Sequence, residues 1–186
     1  LVKFSHMLFE SSDDSSSIIR VLFVDFSKAF DLINHNVISD MLVANHFSVG
    51  FSTWFLSFLT ERSQFVKIGE NISDSRTINA GDTQGTRAGP NALKLLVNDL
   101  VFKTACTKYV DDFTVSTTSR DPLDSGLQEA ANYLEKWCTI NGMKLNTVKT
   151  KEMVLCFNSR FHSDQCKPIV IDSDTIERVK IFTLLG

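Results

Sequence analysis

Acidic residues at two places along the chain could hold a divalent cation. Asp25 directly follows the apolar run Val21-Leu22-Phe23-Val24, and Asp111-Asp112 stands between Tyr109-Val110 and Phe113-Thr114-Val115. Each lies where a buried strand would give way to a turn. Side chains alternate along a strand, so Tyr109 and Asp111 share a face and Asp112 points elsewhere or lies in the turn. If the two strands are neighbours, Asp25 and Asp111 converge. Carboxylates gathered in an apolar setting repel one another unless a cation neutralises them. Hard oxygen donors suit Mg²⁺, with Mn²⁺ as an alternative. Two such ions about 4 Å apart clamp the attacking and leaving oxygens of an in-line phosphoryl transfer. The same residues also have a purely structural use, Asp25 as a helix cap and Asp111-Asp112 as a tight turn.

The elements that must position these carboxylates follow from pattern. Ile18–Val24 is a β-branched apolar run that reads as a strand buried on both faces. Helical spacing predicts a helix over about Asn36–His46 and another after Gly50, where Phe51, Trp54, Phe55, Phe58 and Leu59 recur. Ser63–Ile68 and Ile72–Ile78 read as a hairpin around Gly69-Glu70-Asn71. A loop with three glycines, Gly81 to Pro90, leads into a helix starting near Pro90. Thr107–Val110 and Phe113–Thr117 form a second hairpin. Asp121-Pro122 caps a long helix carrying Leu127, Ala131, Leu134 and Cys138. Strands are expected over Glu152–Phe157, Ile169–Ile171 and Val179–Phe182, whereas residues 1–17 read as an apolar patch and a polar loop. The hairpins argue for an antiparallel sheet with helices on one face, an α+β fold. No linker splits the chain.

Composition narrows the chemistry. With 186 residues, 43% hydrophobic and 22% charged, the chain is globular, and fifteen Phe can fill a core. A net charge of −3 argues against a protein that coats nucleic acid in bulk. It leaves room for a carboxylate-built metal site that handles phosphates. Cys106, Cys138, Cys156 and Cys166 form no C-x-x-C pair, which excludes a disulfide framework and a zinc ribbon and fits a reducing compartment. Cys156, His162 and Cys166 are too few for a structural zinc site. No run is long and apolar enough to span a membrane, and no signal-peptide pattern opens the chain. It begins at Leu1 and stops inside an apolar run, so it reads as a piece of something longer.

Five ordered motifs carry a resemblance. Phe23-Val-Asp-Phe-Ser-Lys-Ala-Phe-Asp31 with His35 resembles the first palm motif of reverse transcriptases from non-LTR retrotransposons. Gln84-Gly-Thr-Arg-Ala-Gly-Pro90 with Val97-Asn-Asp-Leu100 is similar to their second. Tyr109-Val-Asp-Asp112 matches the Tyr-x-Asp-Asp box. Trp137-Cys138, Asn141, Met143, Leu145-Asn146 and Lys149-Thr-Lys151 resemble the next motif, and Val179-Lys-Ile-Phe with Leu185-Gly186 the hairpin after it. The resemblance implies a polymerase palm over 18–178, the end of the fingers or a polar loop over 1–17, and the start of a palm–thumb hairpin over 179–186. The rest of the fingers and thumb would lie outside the chain.

The resemblance also implies roles. Asp25 and Asp111 would hold two Mg²⁺ ions, with Asp112 assisting and the Phe26 carbonyl reaching one of them. Phe30 would exclude a 2′-hydroxyl and so select deoxynucleotides, with a plain core residue as the alternative. Gln84 and Gly85 would line the nucleotide pocket, beside Tyr109 of the Tyr-x-Asp-Asp box. Lys149, with Lys151 as its competitor, would stand near the pyrophosphate leaving group. Partners would be an RNA template, a DNA primer and dNTPs, in an intracellular setting, nuclear or cytoplasmic. Thr83 departs from the family's proline, and Ala88 and the run Asn91–Lys94 depart from its larger aliphatics. Two other readings remain, an inactive retroelement remnant that binds nucleic acid weakly, and an unrelated metal-dependent phosphotransfer enzyme.

Overall fold

The computed structural model describes residues 2–14, 16–83, 85–86, 88–157 and 161–184. In chain order the elements are α1 (Val2–Ser12), β1 (Ile18–Val24), α2 (His35–Ala44), α3 (Val49–Leu59), β2 (Arg62–Gln64), β3 (Lys67–Ile68), β4 (Asn71–Ile72), β5 (Arg76–Ile78), α4 (Gly89–Asn98), β6 (Ala105–Tyr109), β7 (Asp112–Ser119), α5 (Gly126–Asn141), β8 (Lys151–Cys156), a 3-10 turn at Ser163–Gln165, β9 (Val170–Ile171), β10 (Asp174–Thr175) and β11 (Glu177–Arg178). They form two compact units. The first gathers Leu1–Ser27, Leu100–Ile140 and Lys144–Gly186, and the second gathers Lys28–Asp99 with Asn141–Met143. No helix among the described residues is long and apolar enough to cross a membrane.

The first unit is built on a five-stranded sheet in the order β11-β8-β1-β7-β6. All its pairings are antiparallel except β11 with β8. Central β1 is buried along its whole length, as expected of a strand apolar on both faces. One face presents Ile19, Val21 and Phe23, against which Phe4, Met7 and Leu8 of α1 pack with Met153, Leu155 and Leu184. The expected apolar patch is therefore a helix that runs on to Ser12, into the start of the expected polar loop, because positions 4, 7 and 8 share one helical face. On the other face Phe26 meets Phe113 edge-on at 5.2 Å and lies 6.4 Å from Trp137 of α5. Helices thus cover both faces of the sheet, not one.

Two further boundaries differ from expectation. Asp121 makes an Asx turn to the Leu123 amide, and α5 starts only at Gly126, whose N–H is taken by Asp124 Oδ1. Val179–Phe182 is not a strand. Only Glu177 and Arg178 pair with β8, the Val179 N–H donates to the Glu152 carbonyl, and the chain then turns so that Phe182 stacks on Phe23.

A buried ionic knot ties the tail to this sheet. Glu152 is fully buried and accepts from Arg20 through Oε1 and from Arg178 through Oε2. The remaining guanidinium donors reach the carbonyls of Asp124, Lys167, Ser163 and Cys166.

In the second unit α2 is capped by Asn34 and buries His35, Ile38 and Leu42, while α3 is capped by Ser48 and buries Phe55 and Leu59. The expected hairpin is nested, β2 pairing with β5 and β3 with β4. Helix α4 carries Pro90 in its first turn and buries Ala92, Leu93, Leu96 and Val97.

Candidate active site

Strand register decides which carboxylates meet. β1 pairs with β7 so that Phe23 faces Thr114 and Val24 faces Phe113. One more rung sets Asp25 beside Asp112. In the β6–β7 hairpin Tyr109 pairs with Asp112, so the turn is Val110-Asp111 and Asp112 opens the strand. This differs from the sequence expectation, in which Asp111 was to share the strand face with Tyr109 and Asp112 to point elsewhere or lie in the turn. The reason is tertiary: pairing of β7 with β1 fixes the register, and local turn chemistry does not.

Asp25 and Asp112 line one cavity of about 250 Å³ with Phe23, Thr114, Lys149 and Phe182. Its wall includes the Phe23–Phe182 stack, with ring centroids 4.0 Å apart. Burial pushes the Asp112 carboxyl above the usual carboxylate range, and the negative charges of Asp111 and Asp25 push it further the same way. The three acids therefore feel one another. Among the described residues no three His, Cys, Asp or Glu side chains are gathered closely enough to hold an ion. The cavity itself offers two carboxylates, with Asp111 next to them in the chain. Hard oxygen donors crowded by like charge are the donor chemistry that suits Mg²⁺ or Mn²⁺, so these residues fit such ions by donor type, and not by a gathered cluster of three side chains.

The hairpin turn is strained. Val110, the first of its two residues, has φ +56°, a left-handed conformation that favours glycine. A β-branched residue there is an outlier that persists only where its surroundings over-determine it. Here both flanking strands are held, and Tyr109 stands exposed beside the turn.

Asp25 leaves β1 into a short ladder with the turn before β8. The Asn146 N–H donates to the Asp25 carbonyl at 2.9 Å, and the Ser27 N–H donates to the Lys144 carbonyl at 2.8 Å. Phe26 is the unbonded rung opposite Leu145, so its carbonyl faces away from that ladder while its ring enters the core. The two candidate lysines separate here. Lys149 is exposed and lines the cavity. The Lys151 Nζ is tied to Glu177 at 2.6 Å and to the Val148 carbonyl at 2.5 Å.

The other residues singled out by sequence belong to the second unit. Phe30 is half-buried, and its carbonyl accepts from the Asp82 N–H at 2.8 Å. Gly85 is exposed with φ +81°, and a Cβ there would meet nothing within 4 Å. Backbone conformation, not crowding, is what asks for glycine. Gln84 lies outside the described residues. The start of this loop is pinned by Arg62, which sequence reasoning missed, and by His35 of the first motif. Arg62 donates to Thr83 Oγ1 at 2.7 Å and to the Gly81 carbonyl at 2.9 Å, and His35 Nε2 lies 2.7 Å from the same carbonyl. Arg62 is 19 and 21 residues from its partners, so no local pattern marks it. Thr83 uses the N–H that a proline would lack, donating it to Asp82 Oδ1 at 2.5 Å. Asp82 Oδ2 is buried without a hydrogen-bond partner among the described residues, and burial raises this carboxyl's pKa.

Comparison with known proteins decides the family, because the sequence matches the reverse transcriptases (RNA-dependent DNA polymerases) over residues 4–186. The chain belongs to the reverse transcriptase family. A curated relative, the probable RNA-directed DNA polymerase from transposon BS of Drosophila melanogaster, is 25% identical over 185 residues. That match covers 93% of this chain and 20% of the relative, so the chain spans about a fifth of that protein's length. Among solved structures, telomerase from Candida tropicalis, in complex with a fragment of telomeric RNA, superposes with a TM-score of 0.59 at 14% identity. It covers 82% of this chain and 29% of that one, a likeness of fold. The α+β, mainly antiparallel architecture is accordingly that of a polymerase palm, and the motif resemblance to retrotransposon reverse transcriptases stands.

Proposed function

We propose that this reverse transcriptase segment carries the nucleotidyl-transfer centre of an RNA-directed DNA polymerase, extending a DNA primer with dNTPs on an RNA template. The supporting observation is the opening of Asp25 and Asp112, on neighbouring strands, into one cavity with Lys149. Asp25 and Asp112, with Asp111 and the Phe26 carbonyl, are the groups that would hold two Mg²⁺ or Mn²⁺ ions. Those ions, when bound, would activate the primer 3′-hydroxyl and neutralise charge at the α-phosphate.

The chain's own residues do the remainder. The carboxylates set where the primer oxygen and the α-phosphate meet, and the apolar wall of Phe23 and Phe182 limits water there. Lys149, whose ammonium is not committed as that of Lys151 is, donates a proton to the departing pyrophosphate or offsets its charge. Phe30 is assigned to exclude the 2′-hydroxyl, and Gln84, Gly85 and Tyr109 to hold the nucleotide and the paired bases. The partition into 18–178 as palm, with fingers before it and thumb after it, belongs to the same proposal.

A net charge of −3 gives residues 1–186 little electrostatic hold on a polyanion, so the segment alone is expected to extend a primer poorly. The test is Mg²⁺-dependent primer extension on an RNA template by a longer polypeptide carrying this segment, compared with its Asp25→Asn and Asp112→Asn variants. Loss of extension in both variants supports the assignment, and wild-type rates in either one refute it. One observation favours the second reading, an inactive remnant: Asp82 Oδ2 is buried without a hydrogen-bond partner among the described residues, at the foot of the Thr83–Pro90 loop. A longer polypeptide that binds template yet never extends it would decide for that reading.

A further inference from the structure

We propose that Asn146 and Thr150 are positioning residues that lock Asp25 and Lys149 into one frame. The inference rests on the assignment of Asp25 and Lys149 made above. The regular ladder of β1 ends before Asp25, its last rungs being Val24 with Phe113 and Phe23 with Lys151. Left to the sheet alone, the polar backbone groups of Asp25 would have no partner, and its carboxylate would sit on a fraying strand end.

The turn that carries Lys149 supplies both partners. The Asp25 N–H donates to Thr150 Oγ1 at 3.2 Å, and the Asp25 carbonyl accepts from the Asn146 N–H at 2.9 Å. Asn146 then reaches the other way, its Oδ1 accepting the Lys149 N–H at 3.1 Å. The Thr150 N–H closes the turn on the Asn146 carbonyl at 2.8 Å. Thr150 is fully buried, so its hydroxyl has no water to trade for the Asp25 N–H. Asn146 thus grips Asp25 with its main chain and Lys149 with its side chain, while Thr150 grips Asp25 from the other side.

Such a bracket matters because the carboxylate and the ammonium must meet opposite ends of one reacting phosphate. A misplacement of about 1 Å can cost roughly 100-fold in rate, and precise sites depend on supporting hydrogen bonds of this kind. Neither residue touches the reacting atoms. They act through Asp25 and Lys149.

Thr150→Val is close to isosteric and removes the acceptor, whereas Thr150→Ser keeps it. In the 186-residue chain, amide hydrogen exchange at Asp25 should speed up roughly tenfold or more in Thr150→Val, with Leu22 unchanged and Thr150→Ser like wild type. In the longer, extension-competent polypeptide, Thr150→Val should lower kcat by roughly 10- to 100-fold and leave KM for dNTP within about threefold. Thr150→Ser should restore most of that kcat. Wild-type kcat in Thr150→Val, or Thr150→Ser as slow as Thr150→Val, overturns the proposal, as does unchanged exchange at Asp25. Asp25→Asn run alongside separates the two failures. If Asp25→Asn still extends, the site assignment is wrong. If only Asp25→Asn is inactive and Thr150→Val is normal, the positioning role alone falls.

Discussion

Replacing Glu152 by Gln should destabilise the first unit more than any exposed substitution, because it removes the charge shared by two guanidinium groups. Oε1 accepts from Arg20 Nε at 2.9 Å and Nη2 at 2.5 Å, and Oε2 accepts from Arg178 Nε at 3.0 Å and Nη2 at 2.9 Å. Glutamine keeps one acceptor and turns an amide donor toward the other guanidinium. Arg20 is 4% exposed, so its charge has no water to fall back on. Breaking a buried pair from one side costs about 3–5 kcal/mol, which for a chain of this length is roughly 6–20 °C in Tm. Arg178→Gln should cost less, about 1–3 kcal/mol, because that side chain is 23% exposed and Glu152 keeps its bond to Arg20. The two tryptophans make the assay selective. Trp137 lies in the first unit and exposed Trp54 in the second, so urea unfolding followed by fluorescence in a Trp54→Phe background reads the first unit alone. A loss below about 1 kcal/mol for Glu152→Gln would refute the reasoning that a desolvated pair must be broken from both sides to be harmless.

Asp82→Asn should stabilise the second unit at pH 7 by about 1–3 kcal/mol, since it removes a buried charge whose Oδ2 has no partner among the described residues while keeping an acceptor for the Thr83 N–H. The Asp82 carboxyl titrates above its unfolded value, so its own contribution to stability is fully present below about pH 4 and is lost as pH rises through the folded value. The gap between wild type and Asp82→Asn should therefore close on acidification, and a gap that widens toward low pH would sink the argument. Phe30→Ala in the longer polypeptide should admit ribonucleotides. Unchanged discrimination between dNTP and rNTP in primer extension would return Phe30 to an ordinary packing role.

Much of this was written in local pattern. The apolar run of β1 and the placement of Asp25 at its end are legible because a central strand needs no polar face. Likewise Pro90 marks the first turn of α4, and Gly69-Glu70 the tip of the nested hairpin. What stayed hidden was set at long range. The choice of Val110-Asp111 over Asp111-Asp112 as the turn depends on how β7 docks on β1, some ninety residues away in sequence. Glu152 reads as one more exposed acid until Arg20, 132 residues earlier, is placed beside it. Helix α1 was missed because its three core contacts are brief and the serine-rich stretch behind them looks like loop. The preference for Lys149 over Lys151 came from the motif resemblance, whereas the capture of the Lys151 ammonium by Glu177 could not be read from local pattern.

The central position of β1 also has a cost in time. During synthesis this strand leaves the ribosome well before its neighbours β7 and β8, which are encoded far downstream. Residues Lys28–Asp99 of the second unit are made in between, and β7 is complete only after about ninety further residues, roughly 5–20 s at ~5–20 residues per second. For that interval a seven-residue segment rich in β-branched and aromatic side chains has both edges without their native partners. Arg20 is the one charge in its middle, and before Glu152 exists that guanidinium acts as a gatekeeper against pairing with other nascent chains. The residue that later anchors the finished sheet thus first keeps the unfinished one apart from its copies.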